Sequence, residues 1–211
     1  MNFATVALTK RQALDVAALS HAAGGMENPA SLREIHIKFG EDHVQFGATN
    51  SLVVAVRRGT YGEFAGPDVV TGEGIYSYPA KKLARILRIA VQDKIRTTTN
   101  LAFGDGYLAV NGENVGTVGF QDLTTPSGLT VDRIGGLVNA YFEHKYHEDE
   151  STMVHLPTFQ MKLLTKLASS AGPNEAIASF RQDVERQGRW YFITPFKDSW
   201  KFVGVIMETR I

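Results

Sequence analysis

Three segments of this chain repeat one pattern, and the repetition restricts its possible folds more than any other feature. Each segment starts with a polar or proline-bearing turn, continues as a short amphipathic helix with a basic face, and leads into alternating strands separated by glycine turns. The predicted helices cover residues 9–20, 79–92 and 157–171. A helix followed by antiparallel strands occurs twice within the first 120 residues, which indicates an internally duplicated architecture. The pattern predicts an α+β fold built from repeated helix-plus-strand units.

The middle helix has the clearest two-sided pattern. Pro79 suits its first turn, where the missing N–H has no helical partner to lose. Helical spacing groups four apolar residues on one face: Leu83, Ile86, Leu87 and Ala90. The opposite face carries a second set: Lys81, Arg85, Arg88 and Gln92.

The other two helices follow the same pattern with fewer cations. Thr9 is the expected N-cap of the first helix, which carries Lys10, Arg11 and Asp15. In the third helix we expect Met161, Leu164, Leu167, Ala168 and Ala171 to face inward. Its outward residues are then Lys162, Lys166 and Ser169.

Positive charge is concentrated on these helices. The chain has 22 Lys and Arg against 22 Asp and Glu, yet the three helices together carry a net charge of +7 and the rest of the chain −7. One interpretation is that these are ordinary solvated helix faces. Because three helices in one chain share the bias, a polyanion such as nucleic acid is the first candidate partner.

The strand pattern surrounds the helices. A hairpin is predicted from 32–39 and 44–49, a third strand at 51–58 and another within 69–77. The second unit has expected strands at 94–99, 100–103, 107–110 and 115–120, and the chain closes with 176–182, 190–194 and 202–209. The Thr124–Gly128 stretch is the best linker, which divides the chain into domains 1–123 and 129–211. Between them, 132–142 is a possible helix and 143–151 a charged, exposed stretch.

Composition excludes several kinds of site. The chain has no cysteine, so it has no disulfide, thiolate metal site or Cys nucleophile. Neither a signal peptide nor an apolar run of about 18 residues is visible, and we expect a soluble cytoplasmic protein without membrane contact.

A few weaker features invite other interpretations. His144 and His147, with Glu148, Asp149, Glu150 and His155, allow a metal site, but an exposed polar loop is the better interpretation because the spacing matches no known finger or protease helix. Trp190 and Trp200 are expected to pack in the core instead of stacking on bases. No catalytic triad is visible, so we expect no enzyme activity, cofactor or metal.

Three motifs lie in order along the chain: Ala48-Thr49-Asn50 at the end of the hairpin 34–51, the run Tyr78-Pro79-Ala80-Lys81, and the end of the chain, 202–211. Together they resemble DNA sliding clamps, most closely the bacterial polymerase III beta type. The hairpin is similar to the clamp hairpin that ends in Ala-Thr-Asp. The run Tyr78-Pro79-Ala80-Lys81 resembles the Val-Pro-Ala-Lys start of the second clamp helix. The end of the chain, 202–211, resembles the terminal Val-Val-Met-Pro-Met-Arg-Leu. The order and spacing of the motifs extend the resemblance over nearly the whole chain.

The resemblance implies a ring whose helices line a hole and whose sheets form the outer wall. It implies a processivity factor that encircles duplex DNA without reading its sequence, and the implied DNA-binding residues are Lys10, Arg11, Lys81, Lys82, Arg85, Arg88, Lys162 and Lys166. Peptides of the replicative polymerase and of the clamp loader would dock in an apolar cleft beside the last strand. Carried over by position, the cleft residues are Val205, Met207, Thr209 and Arg210, although Val205 and Met207 are equally well read as core residues.

The chain also departs from the beta-clamp pattern. Beta clamps have three domains per chain and close as dimers, whereas two domains here imply a homotrimer, as in phage and eukaryotic clamps. Residues 129–155 fit the repeat unit poorly, Asn50 replaces the family's Asp, and Glu208 and Thr209 replace its terminal Pro and Met. Two other hypotheses therefore stay open: a clamp-fold adaptor or decoy that binds replication proteins without encircling DNA, and an unrelated β-rich enzyme that uses the histidine cluster.

Overall fold

The structure is a computed structural model that describes residues 4–64, 74–104, 106–121, 160–172, 179–186, 188–193 and 200–207. The expected helix at 132–142, the histidine cluster and the whole segment 129–155 lie outside the described residues. The described helices are α1 (Lys10–Ala18), α2 (Ala80–Ala90) and α3 (Met161–Ser170), with short 3-10 turns at Leu19–His21, Ala30–Arg33 and Tyr61–Glu63. The described strands are β1 (Ala4–Thr9), β2 (Glu34–Phe39), β3 (His43–Thr49), β4 (Val53–Thr60), β5 (Gly74–Pro79), β6 (Thr98–Gly104), β7 (Tyr107–Val110), β8 (Glu113–Thr117), β9 (Gly119–Gln121), β10 (Ser179–Gln182), β11 (Arg189–Ile193) and β12 (Lys201–Met207).

The strands form two antiparallel sheets, which confirms the α+β fold with antiparallel strands. The smaller sheet has the order β1-β6-β7-β8, and the larger has the order β10-β11-β12-β4-β3-β2-β5-β9. In the larger sheet β12 pairs with β4, with Val203 opposite Val56 and Gly204 opposite Ala55. Strands from both sides of the proposed linker therefore share one continuous sheet. The division into domains 1–123 and 129–211 stays a prediction.

Local sequence signals account for several element boundaries. Thr9 caps α1 as expected, because its hydroxyl accepts a hydrogen bond from the Gln12 amide while the Gln12 side chain accepts one from the Thr9 amide. Asn111 and Gly112 have φ of 53° and 89°, and this two-residue turn pairs Val110 with Glu113. Positive φ at both central residues is the geometry that a tight hairpin requires.

The sequence prediction was wrong for the segment before β6. Strands were expected at 94–99 and 100–103, but a single strand begins at Thr98. The Asp93 carboxylate accepts a hydrogen bond from the Ile95 amide at 2.9 Å and lies 3.4 Å from the Arg96 guanidinium. The side chain of Asp93 thus bonds a backbone N–H that a longer strand would have paired with a neighbouring strand.

The inward face of α3 was also partly wrong. Leu167 and Ala171 are buried as expected, but Met161 is 72% exposed and Ala168 is exposed. The helix packs through the stripe Leu163, Leu164, Leu167, Ser170 and Ala171. Its close approach to β12 needs a glycine, since a Cβ on Gly204 would lie 2.3 Å from a Leu167 methyl carbon. Trp190 and Trp200 are both buried, as the packing interpretation predicted.

A buried charge cluster holds α1 against β4 and the end of α3. Asp15 is fully buried, accepts a hydrogen bond from the Trp200 indole at 3.1 Å and lies 3.8 Å from the buried Arg57 guanidinium. Arg57 donates to the carbonyl of Ala171 and lies 5.1 Å from the centre of the Phe202 ring. One carboxylate and one guanidinium thus connect elements far apart in the chain.

We expect Asp15→Asn to lower the free energy of unfolding by about 3 kcal/mol, because the buried guanidinium of Arg57 then lacks its countercharge. The change is measured as the shift in urea midpoint at constant slope. Asp42→Asn is the matched control, since the Asp42 side chain is 76% exposed and its loss should barely move the midpoint. Equal midpoint shifts in the two variants would show that the Asp15–Arg57 contact does not hold the fold together.

Candidate nucleic-acid interface

The three helices lie side by side. α1 packs between α2 and α3 and contacts β1 and β6 of the smaller sheet, α2 packs on β2 and β5, and α3 packs on β4 and β12. Apolar residues of each helix, including Val16, Leu83 and Leu167, belong to the common core. The opposite sides of the three helices therefore form a common surface, which we call the helix layer.

The helix layer is cationic and carries no exposed acid from its own helices. The only acidic residue within α1, α2 and α3 is Asp15, which is buried. Six of the sequence-predicted cations are exposed: Arg11, Lys81, Lys82, Arg85, Arg88 and Lys162. Lys10 and Lys166 are half-exposed. The fold thus brings all eight predicted cations onto neighbouring helices.

The strongest part of the surface is one side of α2. Lys81, Arg85 and Arg88 are spaced by about one helical turn and are all exposed. Within the described part of the chain, none of these three forms an ion pair with a carboxylate. Their charge is available to an external anion.

Three of the other cations are partly engaged within the protein. The Lys10 ammonium donates to the Asp93 carbonyl at 2.8 Å, and the Arg11 Nε lies 3.9 Å from Asp15. The Lys82 ammonium lies 5.5 Å from the centre of the Tyr78 ring. These contacts are weak at a solvated surface, so they orient the side chains without neutralising them.

Sequence reasoning missed one ionisable residue of this surface. His21 is exposed at the end of the 3-10 turn that follows α1. Partial burial, followed by the positive charge of Arg88, lowers the pKa of His21 below its ordinary value. The side chain is therefore neutral near pH 7 and adds positive charge only in acid. Extending the predicted helix 9–20 by one residue would have found it.

The two predicted cleft residues that the structure describes differ in exposure. Val205 is 3% exposed, whereas Met207 is 49% exposed at the end of β12. Arg57 points toward the helices. Val54 lies three residues earlier in β4, so Val54 and its partner Val205 belong to the opposite face of the sheet. Thr209 and Arg210 lie outside the described residues.

A second exposed apolar side chain lies near Met207. Leu52 is 57% exposed in the turn before β4. Val53 pairs with Ile206, so Leu52, just before Val53, and Met207, just after Ile206, lie at the same end of the two strands. Asn50 holds this turn, because its side-chain oxygen accepts hydrogen bonds from the Leu52 and Val53 amides at 3.0 and 2.9 Å. Asn50, which stands where the clamp motif has Asp, thus supplies the acceptor that closes this turn. The Ala48-Thr49-Asn50 motif, which forms this turn, was the sequence signal that could have identified Leu52 as a surface residue.

The described residues contain no group of three or more His, Asp or Glu side chains arranged to hold a metal ion. None of the described helices is long and apolar enough to cross a membrane.

No protein-family model matches the chain, and no curated protein matches it in sequence. Solved structures do match it. The chain is similar to the DNA polymerase III beta subunit of Thermotoga maritima, with a TM-score of 0.61 and 10% sequence identity over 98% of this chain and 65% of that one. The Bacillus subtilis DNA polymerase sliding clamp gives a TM-score of 0.59 at 12% identity, over 98% of this chain and 64% of that chain.

The length of the match differs between clamp types. This chain spans about two-thirds of the bacterial clamp chains, but it covers 98% of A. fulgidus PCNA, which is described in complex with the C-terminal region of FEN-1. That match covers 99% of this chain, with a TM-score of 0.56 and 11% identity. Identity at this level identifies a shared fold and nothing finer. The chain has the fold of the DNA sliding clamps.

Proposed function

We propose that this protein is a sliding clamp, a scaffold without chemistry of its own that encircles duplex DNA and tethers a replicative polymerase. One observation carries the proposal: eight cations lie on three adjacent helices whose only acidic residue is buried. An ordinary solvated helix face mixes both signs of charge. A cationic surface whose helices carry no exposed carboxylate is suited to bind a continuous polyanion.

The type of cation fits sliding better than sequence recognition. Lysine and arginine on long, flexible stems attract phosphates without reading bases. Arg85, Arg88 and Lys162 project from rigid helices that pack on a sheet, so the charges stay in place while DNA moves past. Attraction of this kind is weak and salt-sensitive, and durable retention then depends on closure of the ring.

Edge-to-edge pairing of the larger sheet offers a route to ring closure. Among the described strands, β10 and β9 stand at the two ends of the larger sheet. Pairing of one edge with the other edge of the next copy would extend the sheet head to tail, and such a heterologous contact closes when the rotation per copy fits a ring. The match to nearly the whole PCNA chain supports two domains per chain, and hence three copies in the ring.

The exposed pair Leu52 and Met207 supports a docking site for partner peptides. Both are large apolar side chains at one end of the β4–β12 pair, at 57% and 49% exposure. Exposed apolar side chains that lie together are a common feature of protein-binding sites. We infer that peptides of the polymerase and the clamp loader bind there, beside the strand that the resemblance indicated.

Lys81, Arg85 and Arg88 form the α2 row, and reversing charge within this row should weaken DNA binding. We expect the double variant Arg85→Glu, Arg88→Glu to lower affinity for a short linear duplex at least tenfold at low salt. The slope of log K against log salt should fall by about two, since each lost phosphate contact removes about one unit. Fluorescence anisotropy across a salt series measures both quantities.

The matched control makes the same charge change away from the helix layer. Lys38 alternates with the buried Ile37 and Phe39, so it lies on the other face of the sheet, and Arg186 is exposed in the turn after β10. The double variant Lys38→Glu, Arg186→Glu should leave the salt slope unchanged. If both double variants lose affinity equally, only net charge matters and the helix layer is not the DNA surface.

The assembly is tested by mass in solution. Three copies of the 23.2 kDa chain give about 70 kDa by light scattering. The Arg85→Glu, Arg88→Glu variant should keep this mass, because those side chains lie away from the sheet edges. A monomeric protein would contradict the ring and favour the adaptor that binds replication proteins without encircling DNA.

The proposed docking role of Leu52 and Met207 is tested by primer extension with the replicative polymerase of the source cell. Leu52→Ser, Met207→Ser should shorten the products severalfold, because the polymerase loses its apolar anchor, while mass and salt slope stay unchanged. Ile95→Ser is the control, since Ile95 is 92% exposed in the turn after α2. Full-length products from the double variant would place polymerase docking elsewhere.

A further inference from the structure

A cavity of about 320 Å³ lies where the loop after α1 meets the start of α2. Its apolar wall comes from small residues and backbone: Ala23, Gly24, Gly25, Ala30, Pro79 and Ala80. Met26, at 81% exposure, lines the cavity as well. The volume is within the range of small-molecule and side-chain pockets. The cavity is separate from the pair Leu52 and Met207.

One side chain of the cavity wall has a buried hydrogen-bond donor without an acceptor. Arg33 lines the cavity, and its buried Nε has no hydrogen-bond partner among the described residues. Its Nη1 donates to the Met26 sulfur at 3.5 Å, and a thioether is a weak acceptor. A guanidinium in this situation gains most from an added carboxylate, which accepts two parallel hydrogen bonds.

The start of α2 adds positive potential at the same cavity. Pro79 occupies the N-cap position and provides no side-chain cap, and the first turn contains no acidic residue. The first N–H groups of the helix therefore keep their partial positive charge. Lys81 lines the cavity and contributes a full charge.

Glu34 is the one acid in the wall. Burial lowers the pKa of the nearby His36, while its hydrogen bond to the Ser31 carbonyl and the charge of Glu34 act in the opposite direction. Two cations and one acid line the cavity, and the exposed carboxylate of Glu27 lies beside Gly25 at its rim. Glu34 should weaken the binding of an anion. Removing its charge should therefore strengthen binding, whereas removing the charge of Arg33 or Lys81 should weaken it.

We propose that this cavity binds a carboxylate attached to a compact apolar group. The apolar group occupies the space between Ala30 and Ala80, and the carboxylate meets Arg33 and the start of α2. The chemistry is that of a small organic acid or of a peptide chain end with an apolar last residue. A phosphodiester suits the cavity less well because its wall is mostly alanine, glycine and proline. The inference does not depend on whether the chain encircles DNA.

The test is an NMR titration of the full chain with N-acetyl-leucine and with the neutral N-acetyl-leucinamide. A probe of this size should bind the wild-type protein with a Kd on the order of 1 mM. Resonances of Ala23, Gly24, Ala30 and Ala80 should shift, and the amide should bind at least fivefold more weakly. Equal affinity for acid and amide, or shifts elsewhere, would overturn the proposal.

Variants separate charge from shape. Arg33→Gln and Lys81→Gln should each weaken binding of the acid, the former by about tenfold. Glu34→Gln should strengthen it about twofold, and Ala30→Phe should abolish it by filling the space. Lys94→Gln, at an exposed cation after α2, is the matched control and should change nothing. If Arg33→Gln does not fold, the opposite effects of Lys81→Gln and Glu34→Gln still decide, and no effect from either overturns the proposal.

A longer probe identifies the source of the carboxylate. Acetyl-Gly-Ser-Gly-Leu with a free carboxyl end should bind at least as well as N-acetyl-leucine if the natural ligand is a peptide chain end. Binding of N-acetyl-leucine alone supports the site for a small organic acid. Binding of neither probe overturns the proposal.

Discussion

The arrangement of this protein depends on the buried contact between Asp15 and Arg57. The contact joins α1 to the middle of the larger sheet, and Arg57 also donates to the carbonyl of Ala171, the residue that follows α3. Trp200, which precedes β12, donates to the same carboxylate. The Asp15 carboxylate therefore contacts a residue 185 positions away in the chain. Two charges buried this deeply persist only when each is compensated, so the cluster stabilises one arrangement of helices on the sheet at the expense of others.

The same contact explains the charge of the helix layer. Asp15 is the only acidic residue within the three helices, and it points into the core. Its burial removes negative charge from the outer surface while it neutralises a cation that would otherwise be buried alone. The surface of α1 keeps Lys10 and Arg11 without an exposed acid of its own, and α2 and α3 continue that surface. Core stability and surface charge are thus two results of one side-chain orientation.

The sequence predicted those parts of the fold that local patterns determine. The amphipathic face of α2 and the cap at Thr9 were predicted correctly, because periodicity and capping depend on neighbours in the chain. The start of β6 and the exposure of Met161 were missed, because a side-chain turn at Asp93 and the packing of α3 on β12 override the pattern. The pairing of β12 with β4, and the cavity beside α2, depend on tertiary contacts that one sequence does not reveal.

The proposed functions use different faces of the molecule and meet at one residue. The helix layer faces away from the sheet, whereas Val205 belongs to the sheet's other face and Leu52 to the turn at one end of β4, so DNA and a docked peptide need not compete for space. Lys81 is the exception, because it belongs both to the α2 row and to the wall of the cavity. A carboxylate bound there would cancel part of the charge that faces DNA. Occupancy of the cavity should therefore weaken the attraction between α2 and a phosphate backbone, and the coupling must be reciprocal: DNA on the helix layer would weaken binding in the cavity by the same factor.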